Sequence, residues 1–327
     1  MGRVVLVTGV SGTLASQVSR HLAESGESSG IDRVVGIDLR PPAGDLGGVK
    51  FVRADIRTPV VAKVMAVEDV DTVVHLDVAP ADARGGAGAK ERNVIGTMQV
   101  LAACQRSATV EKLVVGSSSA VYGTSPRDPA MFRESDSARG GVRTGFPKDV
   151  VEVEGYVRGF ARRRPEITLT MLRAAQVLDP SVASPLRNYF CSPVLPTALG
   201  YDPRLQFLGL DDALEIVRLA VRHDRPGTFN VAGAGVMLLS QAARRLGRVT
   251  VPLPTVGFGP AAARVLRAVG SEMSPDLHRL LTHGRVMDTT ALREIFGYEP
   301  RLGTEQVLEA FRAATGAGRP VAREGRR

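Results

Sequence analysis

The chain has 327 residues, 44% of them apolar, and a formal net charge of +8; that length suits one large domain with a smaller second lobe and a sizeable core. Trp is absent and only 5% of residues are aromatic, so the core must be built from Val, Leu and Ala. The charge comes from Arg scattered along the chain rather than from a basic stripe interleaved with aromatics, so no nucleic-acid partner is expected, while a solvated surface or an anionic small-molecule substrate fits it.

In chain order, Val-rich runs at Val4–Thr8, Arg33–Asp38, Lys50–Ala54, Thr72–Leu76, Lys112–Ser117 and Thr168–Arg173 are near-continuously apolar, as strands buried on both faces of a parallel sheet must be. Helical patterns at Leu14–Glu24, Val60–Ala66, Asn93–Gln105 and Lys148–Arg164 alternate with them. The last ends in arginines and then Pro165, which suits a helix C-terminus. Strand–helix alternation predicts a doubly wound parallel α/β sheet, a Rossmann-type fold, with a smaller C-terminal substrate lobe. Beyond it, 178–203 is Pro-rich and irregular, 211–223 reads as a helix, 227–233 as a strand, and 252–260 as a Pro-punctuated loop. Asp288 and Thr304 are candidate N-caps for the helical end. The expected division is a dinucleotide-binding domain over 1–177 to which 205–233 returns, a substrate lobe over 178–204 and 234–315, and a frayed tail over 316–327.

The segment VVLVTGVSGTLASQVSRHL carries the strongest chemical signal. Gly9 permits a tight turn after the first strand, and Gly12 at the mouth of the helix lets the backbone approach a pyrophosphate, whose charge the helix N-terminus favours. Ala15 is small enough for helix–strand packing. The second strand ends in Asp38, whose carboxylate can accept both ribose hydroxyls of an adenosine; this favours NAD over NADP, although Arg40 close by complicates the choice.

With these residues the sequence resembles the extended short-chain dehydrogenases/reductases, the NAD-dependent nucleotide-sugar epimerases and dehydratases, over nearly its whole length. TGVSGTLA (8–15) resembles their glycine signature, RADIR (53–57) their adenine-contact segment and VVHLDVAP (73–80) their fourth-strand motif. NVIGT (93–97), KLVVGSSSAVYG (112–123), TMLRAAQVLDP (170–180), FNVAG (229–233) and IFGYEPR (295–301) are similar to further family segments. The resemblance implies cofactor contacts from Gly9, Ser11, Gly12, Thr13, Leu14, Asp38, Leu39, Arg40, Asp55, Ile56, Leu76, Asp77, Val78, Asn93 and Lys148. It also implies a homodimer formed through the helices at 93–105 and 148–164.

The family's chemistry needs a phenol four residues before a lysine, because residues so spaced share a helix face. The phenol moves a proton while hydride moves to or from the cofactor, and the lysine lowers its pKa and holds the nicotinamide ribose. Aligned on Val-Tyr-Gly, the catalytic Ser is Ser118; the lysine is assigned to Lys148, and the tyrosine's place then holds Thr144. Tyr122, a packing residue in the family, is a candidate surrogate acid. Asp77 replaces a small residue of the fourth-strand motif and is expected near the cofactor, as a base or an obstacle, or else paired with an Arg.

Three functions follow: an NAD-dependent epimerase, dehydratase or reductase acting on a nucleotide sugar or a small secondary-metabolite carbonyl; a redox-silent NAD-binding regulatory module; and a non-redox lyase or cyclase with Asp77 as base. Two cysteines, Cys104 and Cys191, and the histidines His21, His75, His223, His278 and His283 show no metal-ligand spacing, so no metal site is expected. No leader precedes the first strand and no apolar run reaches the ~18 residues of a membrane span, so a cytoplasmic location is expected.

Overall fold

A computed structural model of the chain describes residues 2–26, 30–80, 88–136, 145–268 and 272–316. The apolar runs form β1 (Arg3–Thr8), β2 (Ile31–Asp38), β3 (Lys50–Arg53), β4 (Thr72–His75), β5 (Lys112–Ser118) and β6 (Thr168–Ala174). After two-residue β7 (Gln176–Val177) come β8 (Val194–Ala198), β9 (Arg204–Leu205), β10 (Phe207–Leu208) and β11 (Gly227–Val231), then β12 (Met237–Leu238) and β13 (Val249–Leu253). The main sheet is parallel, in the order β11-β6-β5-β4-β1-β2-β3. From β1 the chain moves one way through β2 and β3, then crosses back to β4 and continues the other way. The reversal between β1 and β4 opens a crevice at the strands' C-terminal ends, where ligands of doubly wound folds bind.

Each strand feeds two cores because successive side chains point to opposite faces. Val5 and Val7 of β1 join one cluster with Val18, Leu22 and Ile216, and Leu6 joins the other with Val35, Val100 and Val157. The helices are α1 (Thr13–Ser25), α2 (Val60–Val67), α3 (Thr97–Arg106), α4 (Gly145–Arg163), α5 (Pro185–Cys191) and α6 (Leu210–Arg222). In α1 the buried residues Ala15, Val18, Ser19 and Leu22 recur at helical spacing, so one stripe faces the sheet. Helix α3 is entered through a π-helical turn, Arg92–Gly96, rather than as one regular helix from Asn93. The Arg164 guanidinium donates to the carbonyls of Cys104 and Gln105 at 3.2 and 2.5 Å, satisfying the exposed end of α3. Burial pushes the Cys104 thiol up to about 12, so it packs as a small apolar group.

A third cluster gathers Leu178, Leu186, Tyr189, Phe207, Leu280 and Phe311, with α7 (Leu239–Arg245), α8 (Phe258–Ala268), α9 (Pro275–His283) and α10 (Thr304–Thr315). The Pro-rich stretch expected to be irregular contains α5 and β8, because Ser184 caps α5 and Pro185 occupies its first turn. Gly303, not Thr304, precedes α10; the Thr304 hydroxyl instead meets Phe207 N and Gly235 O at 3.3 and 3.1 Å. The carboxylate of Asp212 in α6 accepts from Tyr298 Oη at 2.6 Å and Arg301 N at 2.8 Å, tying the C-terminal segment to the sheet domain. Residues 317–327 of the expected tail lie outside the described residues.

One buried polar network fixes α4 against the sheet. Glu154, fully buried, accepts from Arg173 Nε and Nη2 of β6 at 2.9 and 2.7 Å and from Ser117 Oγ of β5 at 2.6 Å. Burial works against the Arg173 charge, but the Glu154 carboxylate outweighs it and raises the guanidinium's pKa. Removing one member of such a pair strands the other in the core. Glu154→Ala should therefore destabilise the fold by about 3–5 kcal/mol, measured by urea unfolding. Arg158→Ala, which removes a half-exposed partner of the same carboxylate, should cost under about 1 kcal/mol.

Candidate functional site

The crevice between β1 and β4 is lined by the turns that follow both strands. After β1 the backbone turns at Gly9, whose φ of 81° is readily open only to glycine. Gly12 then caps α1 with no side-chain hydrogen bond, and no acidic residue occupies the first turn. The N-terminal amides of α1 are thus left to an anion. At the tip of β2, Asp38 accepts from Ser11 N and Ser11 Oγ at 2.9 and 2.7 Å and from Leu39 N at 2.7 Å. This carboxylate couples the glycine-rich turn to the β2 end.

Behind that turn lies a cavity of about 230 Å³, walled by Gly12–Ala15, Leu76, Val78–Pro80, Gly116–Ser118, Phe146 and residues of β6, β7 and α6. A second cavity, about 510 Å³, lies against α9 and carries Glu272, Asp276 and Arg279. The two share Pro80, Phe146, Gln176 and Pro185, so they adjoin at the ring of Phe146.

The structure brings together Gly12, Thr13, Leu14, Leu76, Val78 and Ser118 in the first cavity's wall; Gly9, Ser11, Asp38, Leu39 and Arg40 are outside that wall, with Ser11, Leu39 and Arg40 gathered on the Asp38 carboxylate by hydrogen bonds. Ser118 Oγ also accepts from Ala120 N at 3.1 Å, starting the turn Ser119–Tyr122. Asp55 lies beyond β3, where the Arg57 side chain holds its carboxyl below the usual carboxylate range through contacts at 2.7–3.1 Å. Ile56 is buried under Gly96, where a Cβ would come within 2.5 Å of its Cδ1. The small residue in the π-helical turn is thus required by packing.

Asn93 is a bracket rather than part of the wall. Its amide exchanges two 3.1 Å bonds with the backbone of Ala79 and donates a third, also 3.1 Å, to Asp149 of α4. It thereby fixes the wall segment 78–80 to the helix. His75 packs between Thr8 Oγ1 at 2.8 Å and Thr97 Oγ1 at 2.9 Å.

Two expectations about the chemistry change, those for Tyr122 and Lys148. Tyr122 is no surrogate acid: its hydroxyl donates to Asn230 Oδ1 at 2.6 Å and accepts from Arg173 Nη1 at 2.8 Å, and burial raises its pKa to about 12. Asp77 is buried and forms no part of either cavity wall, although its neighbours Leu76 and Val78 do; side chains alternate along an extended segment. Lys148 does not open α4, which starts at Gly145, and it belongs to neither wall; it pairs with Glu152 at 3.7 Å and is 42% exposed. Thr144 lies outside the described residues. Phe146, which the motif spacing does not single out, stands in the walls of both cavities. Among the described residues no cluster of His, Cys, Asp and Glu could hold a metal ion, and no helix is long and apolar enough to cross a membrane.

A family model described as the NAD dependent epimerase/dehydratase family matches residues 5–232. A protein of Mycobacterium tuberculosis, Rv0501, is 43% identical over 317 residues, spanning 94% of this chain and 83% of its own. Among solved structures, the UDP-glucose 4-epimerase of Thermotoga maritima with UDP-glucose superposes with a TM-score of 0.71 at 18% identity, covering 95% of this chain and 97% of that one. DesIV, the dTDP-glucose 4,6-dehydratase of Streptomyces venezuelae with NAD bound, gives 0.74 at 18% identity, covering 97% and 98%. Identities this low speak to the fold alone.

Two outcomes test the geometry. Tyr122→Phe removes one hydroxyl from a buried network and should lower stability by about 1–3 kcal/mol, measured by thermal unfolding, without altering ligand binding in the cavity. Because the folded-state pKa of Asp55 is depressed, its contribution to stability is present above the usual carboxylate pKa and lost as pH falls through the depressed value. Arg57→Ala should return the carboxyl toward the usual range, read by NMR titration.

Proposed function

The chain belongs to the NAD-dependent epimerase/dehydratase family, and from that premise we propose that it binds NAD across the crevice between β1 and β4 and takes a nucleotide-sugar-like ligand in the adjoining cavity. One observation carries the cofactor reading: the uncapped, acid-free N-terminus of α1 stands beside the Asp38 carboxylate, to which it is coupled through Ser11. The α1 amides suit a pyrophosphate, and the Asp38 carboxylate suits a ribose diol, which would take over from the Ser11 hydroxyl. The same carboxylate opposes a 2′-phosphate, so NAD is favoured over NADP.

The cofactor, when bound, supplies a hydride acceptor or donor. Ser118 contributes a hydroxyl on the cavity wall, Asn93 holds the 78–80 wall in place, and the second cavity offers Arg279 as a cationic partner for an anionic ligand. On this reading the protein is an epimerase, dehydratase or reductase whose helix-borne proton carrier is altered. A second reading, a redox-silent NAD-binding module, is favoured by Lys148, which pairs with Glu152 outside both walls. A cytoplasmic location and a homodimer formed through α3 and α4 accompany either reading.

Calorimetric titration with NAD should give one binding site per chain. Asp38→Ala should weaken NAD by about tenfold or more, the loss of one or two charged hydrogen bonds, and should narrow any preference over NADP. Unchanged affinity in that variant sinks the cofactor assignment. Absorbance at 340 nm with UDP-glucose and dTDP-glucose separates the two readings: turnover abolished by Ser118→Ala supports the enzyme, and no turnover supports the binding module.

A further inference from the structure

The inference rests on reading the first cavity as the dinucleotide site. A phenol and a lysine four residues apart can cooperate only if both lie on the face of α4 that meets the cavity. Lysine identity alone selects Lys148, but the packing of α4 selects a different row. Phe146 stands in the walls of both cavities. Four residues on, Val150 is fully buried in one cluster with Leu172, Ala175 and Val177, each a wall residue of the first cavity. Four further, Glu154 accepts from Ser117, also a wall residue, at 2.6 Å. Lys148 is two residues from Phe146, about 200° around an ideal helix, and ends in the partly exposed pair with Glu152.

We propose that the inward row Phe146–Val150–Glu154 occupies the place of the tyrosine–lysine row. A phenyl ring then stands where the phenol would be and an isopropyl group where the ammonium would be. The α4 face gives the nicotinamide end an apolar wall and no proton donor, and Lys148 is a surface residue. The dinucleotide is held here as a ligand and is not cycled through the family's phenol-coupled hydride transfer.

The chain contains no tryptophan, so one introduced indole reports without background. Phe146→Trp and Lys148→Trp are titrated with NAD⁺, which quenches an indole it stacks against, while calorimetry follows binding in each variant and in the unsubstituted protein. Emission from Phe146→Trp should fall about twofold on saturation through ring stacking, and that from Lys148→Trp should stay level. Quenching at 148 alone, or at neither position while calorimetry shows binding, overturns the row assignment. Absence of calorimetric binding in the unsubstituted protein removes instead the dinucleotide reading beneath it. Should the indole disturb folding, Phe146→Cys and Lys148→Cys are alkylated with iodoacetamide and mapped by mass spectrometry. NAD⁺ near tenfold its dissociation constant should slow the first about tenfold by occupancy and leave the second unchanged; the reverse pattern overturns the proposal.

Discussion

The contact between Glu154 and Arg173 sets the geometry of everything at the crevice. It joins α4 to β6 inside the core, and through Ser117 it joins both to β5. A carboxylate and a guanidinium that are both buried tolerate little displacement, since each needs the other's charge to offset its own desolvation. Arg173 extends the constraint to Tyr122 and to the Glu134 carbonyl at 2.8 and 2.9 Å, and Tyr122 stacks on Phe132 with ring centroids 4.6 Å apart. Rotation of α4 is thereby fixed. Which of its side chains meet the cavity follows from where Glu154 must point, and chemically suggestive residues elsewhere on the helix do not alter it.

The crevice combines two kinds of construction. On the β1–β2 side, backbone and short side chains do the work: a glycine turn, an uncapped helix start and one carboxylate. On the β5–α4 side the wall is hydrophobic apart from the serines at the end of β5, Gln176 and Ser184. Asn93 connects the sides, holding the Ala79 backbone and Asp149 at once. On the proposed reading, the β1–β2 half is the one suited to a dinucleotide, and the α4 half faces the cavity with Phe146.

Much of the fold was legible in the sequence. Six strands and the glycine turn could be read to within a residue or two, because uninterrupted Val runs and a Gly-x-x-Gly turn have few alternative uses in a doubly wound sheet. The strand expected at 227–233 is β11, which pairs with β6 at the sheet edge. The site was legible where backbone makes it: Gly12 precedes α1 and Asp38 ends β2, as the strand–turn–helix pattern requires. It was illegible where rotation decides. Spacing says that residues four apart share a face of α4, but not which face is inward, and the decisive partner, Arg173, is distant in sequence. Tyr122 misled in the same way, since a phenol's identity does not disclose that Asn230 and Arg173 already occupy its hydroxyl. Ser184 could have signalled α5, being an N-cap residue directly before proline.

Phe146 belongs to both cavities, and a single ring cannot adopt two positions at once. An occupant of one chamber that moves the ring changes the shape of the other. The energetic coupling must then be the same in either direction. If NAD draws the ring toward the crevice, it tunes the affinity of the neighbouring chamber, and whatever fills that chamber tunes the hold on NAD by the same factor. A single ring on a helix face can in this way carry information between two ligands.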